Sequence, residues 1–95
     1  MVLYMQQANS KKAEIIFQAL AQIIKEEREK KNKSLRILAY EYDIQKSLLS
    51  RLENGKNDPR LSSVWSVCDA LELDISELFA RIKTKLPENF SLIEK

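Results

Sequence analysis

The scarcity of glycine and proline is the feature that most constrains the fold of this chain. Its 95 residues include only one glycine, Gly55, and two prolines. An all-β protein needs such residues at each tight turn, whereas helices are interrupted by them. The hydrophobic fraction of 44% and the charged fraction of 32% are typical of a chain that folds. We therefore predict an all-α fold, with residues 1–95 forming a single domain.

Composition also limits the classes of function. The longest apolar runs are only a few residues, and the start "MVLYMQQANSKK" lacks the order of a secretion signal. A single cysteine, Cys68, excludes an internal disulfide, and we expect a cytoplasmic protein. Histidine is absent, and one glycine cannot build a glycine-rich phosphate loop. We predict no enzyme activity, no cofactor and no bound metal.

Two helices are predicted before residue 44. No glycine or proline occurs between Ser10 and Lys31, and apolar residues recur there at helical spacing: Ile16, Leu20, Ile23 and Ile24. Ser34 is suited to cap a second, short helix. Its apolar face is formed by Leu35, Leu38, Ala39 and Tyr42. Asp43 is predicted to end it in a left-handed turn.

Three further helices are predicted after this turn. The third runs from Gln45 to Asn54, and Gly55 is its expected C-terminal left-handed residue. The fourth carries an apolar stripe of Leu61, Val64, Trp65, Val67, Cys68 and Leu71. We expect Trp65 in the core and Cys68 as a buried structural thiol. "DISE", from Asp74, resembles a capping box that opens a fifth helix bearing Ile75, Leu78, Phe79 and Ile82.

The third helix has one polar face. At 100° per residue, an arc of about 140° carries Lys46, Ser47, Ser50, Arg51 and Asn54. The opposite arc carries Leu48, Leu49 and Leu52. A solvated surface is the general explanation for a polar face, but solvated faces more often carry long Lys and Glu than short Ser and Asn. Lys46, Ser47 and Arg51 suit the edges of DNA bases, so we predict that this face lies in a groove of DNA.

Positive charge is concentrated on the same stretch. Residues 45–60 contain four cations and two anions, a net charge of +2, which equals the net charge of the whole chain. The loop after Gly55 adds Lys56, Asn57 and Arg60 beside the polar face. A helix pair joined by a tight turn, with a polar face on the second helix, is a helix-turn-helix arrangement.

These residues resemble the lambda-repressor and Cro-like helix-turn-helix regulators of phages and bacteria. The resemblance covers residues 20–79 through "LAQIIKEERE", "SLRILAYEYDIQKSLLSRLENGKNDP" and "LSSVWSVCDALELDISELF". It implies a five-helix domain. Outside the match, we expect the first helix to be extended and residues 80–95 to form a C-terminal extension. The departures from the family pattern are Leu35 where a phosphate-binding glutamine is usual, Asp43 and Glu72 in place of glycines, and Lys33 at a usually apolar position.

The resemblance implies a role for each polar residue. The helix from Gln45 to Asn54 becomes the recognition helix, with base contacts from Lys46, Ser47 and Arg51. Contacts with the DNA backbone are expected from Gln45, Ser50, Asn54, Lys56, Asn57 and Arg60. The family often pairs an arginine of the first helix with the glutamate of "LENG", which implies a structural ion pair between Arg28 and Glu53.

Two functions remain open at this stage. The first is a sequence-specific, repressor-like regulator, cytoplasmic and nucleoid-associated, that binds double-stranded DNA as a homodimer at a pseudo-palindromic site. Ile82, Leu86 and Phe90 are the predicted dimer residues, with Ile15 and Phe17 as possible neighbours. The alternative is an antitoxin or another regulator whose terminal segments, residues 1–19 and 80–95, bind a partner protein.

Overall fold

The structure, a computed structural model, describes residues 2–93, and it describes side chains from residue 11 onward. Five helices follow one another: α1 (Val2–Lys30), α2 (Leu35–Tyr42), α3 (Lys46–Asn54), α4 (Leu61–Ala70) and α5 (Ile75–Lys85). No strand interrupts them within residues 2–93, so the predicted all-α class is confirmed. In the same range, none of the helices is long and apolar enough to cross a bilayer.

The first helix is longer than predicted. α1 begins at Val2 rather than at Ser10, because residues 2–9 contain no glycine or proline to end it and Ser10 continues the helix instead of capping it. At the other end, Asn32 adopts a left-handed conformation with φ 56°. Its N–H donates to the carbonyl of Glu29 at 2.9 Å, which closes the last turn of α1.

Local capping sets the ends of the next helices as predicted. The Ser34 hydroxyl accepts the N–H of Ile37 at 3.1 Å and begins α2. The Asp74 carboxylate accepts hydrogen bonds from the N–H groups of Ser76 and Glu77 in the first turn of α5. Hydrogen bonds from the Ser76 hydroxyl and from these N–H groups lower the pKa of Asp74 below its usual value. Asp43 and Glu72 have φ angles of 53° and 55°, so both stand in the left-handed region that glycine adopts more easily.

The core lies where α1 meets α3 and α5, with α4 closing the side. Every helix contributes at least one fully buried side chain: Ile23, Ile24, Leu38, Leu49, Val67, Cys68 and Leu78, with Leu71 directly after α4. Burial of Cys68 raises the pKa of its thiol to about 11, so the group is neutral at physiological pH. The prediction of a buried thiol is confirmed.

Two apolar side chains differ in burial from what the sequence predicted. Trp65 was expected in the core but is 50% exposed, so that prediction is wrong. It follows Leu61 by one turn, and both lie at the edge of the apolar stripe of α4, where no neighbouring helix covers them completely. Ile82 is only 5% exposed and packs within the core, which removes it from the predicted dimer surface.

The C-terminal tail folds back onto the protein. α5 ends at Lys85, and Leu86 is extended because the following Pro87 disfavours helical backbone at the preceding residue. Leu86 packs against the core, and Phe90 is half-buried. The Lys12 ammonium donates to the carbonyl of Ser91 at 2.8 Å, so the tail is tied to α1.

Candidate nucleic-acid interface

The two faces of α3 differ sharply in exposure. Leu49 and Leu52 are buried in the core, and Leu48 packs against it. The opposite face is exposed along its whole length: Lys46, Ser47, Ser50, Arg51 and Asn54. The leucines therefore anchor the helix, and its polar face is turned toward solvent.

A tight turn sets α3 against α2. Asp43 adopts the left-handed conformation, and the N–H of Ile44 donates to the carbonyl of Ala39 at 3.0 Å. Ile44 itself packs against the core. Gln45 precedes α3 in an extended conformation without a side-chain cap, so its exposed amide is available to a ligand. This is helix-turn-helix geometry, with α3 as the second helix.

A mostly buried ion pair holds the end of α3. Arg28 Nε donates to Glu53 Oε2 at 2.6 Å and Arg28 Nη2 donates to Oε1 at 2.9 Å, a bidentate arrangement. Arg28 Nη1 also donates to the carbonyl of Lys33 at 2.7 Å. The two side chains are only 12% and 9% exposed, and hydrogen bonding with Glu53 raises the pKa of Arg28. One guanidinium thus joins α1, the α1–α2 connection and α3.

The single glycine lies at a second junction between α1 and α3. Gly55 is buried, with φ 70°, and its carbonyl accepts a hydrogen bond from Gln18 Nε2 at 2.9 Å. A Cβ at this position would lie 2.9 Å from Gln18 Nε2 and 3.2 Å from the Cβ of Ala21. The left-handed backbone therefore favours glycine here, and a Cβ would also require Gln18 and Ala21 to shift. Gln18 was not among the residues predicted to support the site.

The loop after α3 extends the polar face. Lys56, Asn57 and Arg60 are exposed, as is Arg51 on α3. Arg51, Asn57 and Arg60 line a common cleft of about 340 Å³, together with Leu48, Leu52, Asp58, Pro59 and Ser63. The structure therefore brings the predicted base-reading arginine close to two predicted backbone-binding residues.

Hydroxyl groups of α4 complete this surface and were missed by the sequence analysis. Ser62, Ser63 and Ser66 line a shallow cleft of about 260 Å³ with Gln45 and other residues at the start of α3. The Ser66 hydroxyl donates to the carbonyl of Ser62 at 3.0 Å. The sequence feature that could have predicted these hydroxyl groups is the cluster of serines in "LSSVWS". Leu35, where the family often has glutamine, instead packs against the core.

The cations of this surface are free of ion pairs. Among the residues described, Lys46, Arg51, Lys56 and Arg60 form no ion pair, which is also true of Lys25, Arg36 and Lys83 elsewhere, whereas Arg28, Lys31, Lys33 and Arg81 are paired. Residues 45–60 carry the whole net charge of +2, so the other residues sum to zero. Unpaired cations beside short polar side chains form a surface suited to a polyanion.

Comparison with known families agrees with this geometry. The sequence profile of a family described as "Helix-turn-helix" matches residues 24–78, more than half of the chain. No curated protein and no solved structure matches the chain. The family is one of DNA-binding transcription regulators and not of enzymes. The matched residues run from the second half of α1 into α5 and include the whole of α2, α3 and α4. The chain therefore belongs to the lambda-repressor-like helix-turn-helix family.

Proposed function

We propose that this protein is a sequence-specific regulator of transcription that reads the major groove of double-stranded DNA with α3. One observation carries the proposal: the polar face of α3 is exposed and bears unpaired cations, while the helix is held by its leucines and by the Arg28–Glu53 pair. A rigid polar helix with short side chains fits closely into a major groove about 12 Å wide. A protein bound at a promoter can block transcription, and on that basis we propose a repressor-like action at the nucleoid.

Base reading is assigned to three side chains of this face. Arg51 and Lys46 are donors suited to guanine O6 and N7, and the Ser47 hydroxyl donates or accepts. Contacts with the DNA backbone are assigned to exposed side chains at the edge of the face and in the loop: Gln45, Ser50, Asn54, Lys56, Asn57 and Arg60. These contacts set the position of the helix and carry no sequence information themselves.

Selection of bound sequences from a random pool of DNA tests the function. We expect enrichment of a short motif, and loss of that enrichment when Lys46, Ser47 and Arg51 are all replaced by alanine. A matched control replaces two lysines and one hydroxyl residue that are exposed outside the interface, Lys25, Lys83 and Thr84, with alanine and retains the motif. Equal binding of all sequences by the native chain would contradict specific reading.

We further propose that the protein binds as a homodimer on a pseudo-palindromic site. One recognition helix contacts only a few base pairs, too few to select a site within a genome. Two copies related by a two-fold axis place their recognition helices in successive major grooves, about 34 Å apart. Selected sites should therefore contain two inverted half-sites with fixed spacing.

The alternative of a partner-binding regulator has no specific observation in its favour. Leu86 packs against the core, and Lys12 ties Ser91 to α1, so the tail is engaged within its own chain. We therefore propose DNA binding alone.

A further inference from the structure

One free acidic side chain lies within the surface that is proposed to contact DNA. Residues 45–60 contain two acids, Glu53 and Asp58. The Glu53 side chain is only 9% exposed and is paired with Arg28. Asp58 is exposed and forms no ion pair with any residue that the structure describes. A free carboxylate lowers the affinity of a surface for the DNA polyanion, so the presence of Asp58 here calls for a physical reason.

Asp58 shares a cleft with two cations of the same surface. Arg51 of α3 and Arg60, directly before α4, line this cleft of about 340 Å³ together with Asp58. Its other walls come from three apolar and two small polar side chains: Leu48, Leu52, Pro59, Asn57 and Ser63. Both arginines are exposed, and neither forms an ion pair among the described residues. The cleft therefore holds two guanidinium groups with free donors, and it has room for a phosphate group.

Two kinds of DNA contact compete for Arg51. A guanidinium donates two parallel hydrogen bonds to a phosphate as well as to guanine O6 and N7. Phosphate groups occur at every position of any duplex, whereas guanine occurs only where the sequence provides it. A phosphate held in the cleft between Arg51 and Arg60 would strengthen binding to every sequence, and it would draw the proposed reader away from the base edges.

We propose that Asp58 is a specificity-determining residue that keeps backbone phosphate out of this cleft. Its carboxylate repels a phosphate held by Arg51, so binding to an incorrect sequence is weakened. On a correct sequence Arg51 contacts its base and no phosphate has to enter the cleft, so Asp58 has little effect there. Specificity then rises through repulsion in the wrong complex. This inference rests on the proposed reading of DNA by α3.

The short range of a single charge confines this effect to the cleft. At physiological ionic strength charges are screened over about 8 Å, so Asp58 acts mainly on groups that line the same cleft. Backbone contacts outside the cleft remain compatible with it, because Lys56, Asn57 and Arg60 are all exposed. Asp58 therefore acts on the proposed reader and leaves the general attraction of the loop for DNA in place.

Asp58→Asn tests the inference because it removes the charge and keeps the shape of the side chain. Fluorescence anisotropy at about 0.15 M salt measures the affinity for the selected site and for a scrambled duplex. We expect affinity for the scrambled duplex to rise about fivefold, the upper range for an exposed charge contact, and affinity for the selected site to change by less than about twofold. The ratio of the two affinities should therefore fall. An unchanged or larger ratio would overturn the inference.

Glu88→Gln is the matched control, because it removes one negative charge from an exposed side chain of the C-terminal tail. It changes the net charge by the same amount, and it should shift both affinities equally, by less than about twofold. If Glu88→Gln lowers the affinity ratio as much as Asp58→Asn does, the effect belongs to net charge and the role of Asp58 is refuted. Circular dichroism melting verifies that both variants fold like the native chain.

A double variant shows whether Asp58 acts through Arg51. We expect Asp58→Asn to tighten binding to the scrambled duplex in the native chain but not in the Arg51→Ala background, because the gain comes from a phosphate bound by Arg51. An equal gain in both backgrounds would mean that Asp58 acts as a general surface charge, and the inference would fail.

The outcomes separate this inference from the proposed function. If the native chain selects a motif and Asp58→Asn leaves the affinity ratio unchanged, sequence-specific reading stands and the role of Asp58 is overturned. If the native chain binds all sequences equally, sequence-specific reading fails. Exclusion of phosphate by Asp58 is then still supported by a gain in affinity that requires Arg51, and it is refuted if Asp58→Asn brings no gain.

Discussion

Arginine residues in two regions of this protein illustrate how the same side chain is used for different purposes. On the scaffold, Arg28 forms a bidentate pair with Glu53, and Arg81 of α5 donates to Glu27 of α1 at 2.8 Å. In residues 45–60, Arg51 and Arg60 are exposed and form no ion pair among the described contacts. Paired arginines fasten helices together, whereas unpaired arginines leave their donors available to phosphate or bases. The comparison shows that the scaffold arginines are held by carboxylates, whereas Arg51 and Arg60 form no such pair although Asp58 lines the same cleft.

The largest expected effect comes from breaking the Arg28–Glu53 pair. Glu53→Gln leaves Arg28 charged and mostly buried with only the Lys33 carbonyl as a full partner, so we expect a loss of about 2–3 kcal/mol of stability. Thermal melting by circular dichroism measures the change. Glu77→Gln is the control, because Glu77 is 59% exposed and lies 3.7 Å from Arg81, and such surface pairs contribute about 0–1 kcal/mol. Equal melting temperatures in both variants would contradict a structural role for the buried pair.

Removal of an unpaired arginine should affect recognition and leave folding intact. Arg51→Ala should lose discrimination at one base pair of the selected site, at about 1–3 kcal/mol if the lost contact is bidentate. Competition binding with each substituted base measures this loss. The melting temperature should stay close to native, since the side chain is exposed. Unchanged base preference would exclude Arg51 as a reader.

The glycine junction tests how firmly α3 is held by α1. Gly55→Ala forces a left-handed alanine, which costs about 1–2 kcal/mol, and displaces the Gln18 amide. We expect a lower melting temperature. In the control, Gln18→Ala removes the hydrogen bond but relieves the close approach, so Gly55→Ala should be milder in that background. If the effect of Gly55→Ala is the same in both backgrounds, backbone conformation alone requires the glycine.

The smallest expected effect concerns a single backbone contact. Lys56→Ala should weaken binding to all sequences alike and reduce the slope of log affinity against log salt by about 1. Fluorescence anisotropy at several salt concentrations measures the slope. Lys83→Ala removes an exposed lysine of α5 as the control, and it should leave the slope unchanged. A reduction that depends on base sequence would instead identify Lys56 as a reader.

Much of the fold was predictable because it depends on neighbours along the chain. The caps at Ser34 and Asp74, the left-handed turn at Asp43 and the two arcs of α3 all follow from spacing and side-chain chemistry within one or two turns. The late predicted start of α1 was a local error, because no glycine or proline precedes Ser10 to break the helix. The functions of Lys46, Ser47 and Arg51 remain predictions.

Tertiary packing decided what a single helix could not. A helical wheel shows that Trp65 and Ile82 belong to apolar stripes, but only the neighbouring helices determine that Ile82 is covered and Trp65 is half-exposed. The hydrogen bonds from Gln18 to Gly55 and from Arg28 to Lys33 likewise join residues from separate elements, which no periodicity reports. The sequence by itself thus determined the helices and the polar face of α3, because local spacing controls both. The tertiary structure decided which apolar and charged side chains remained uncovered, because packing between helices controls exposure.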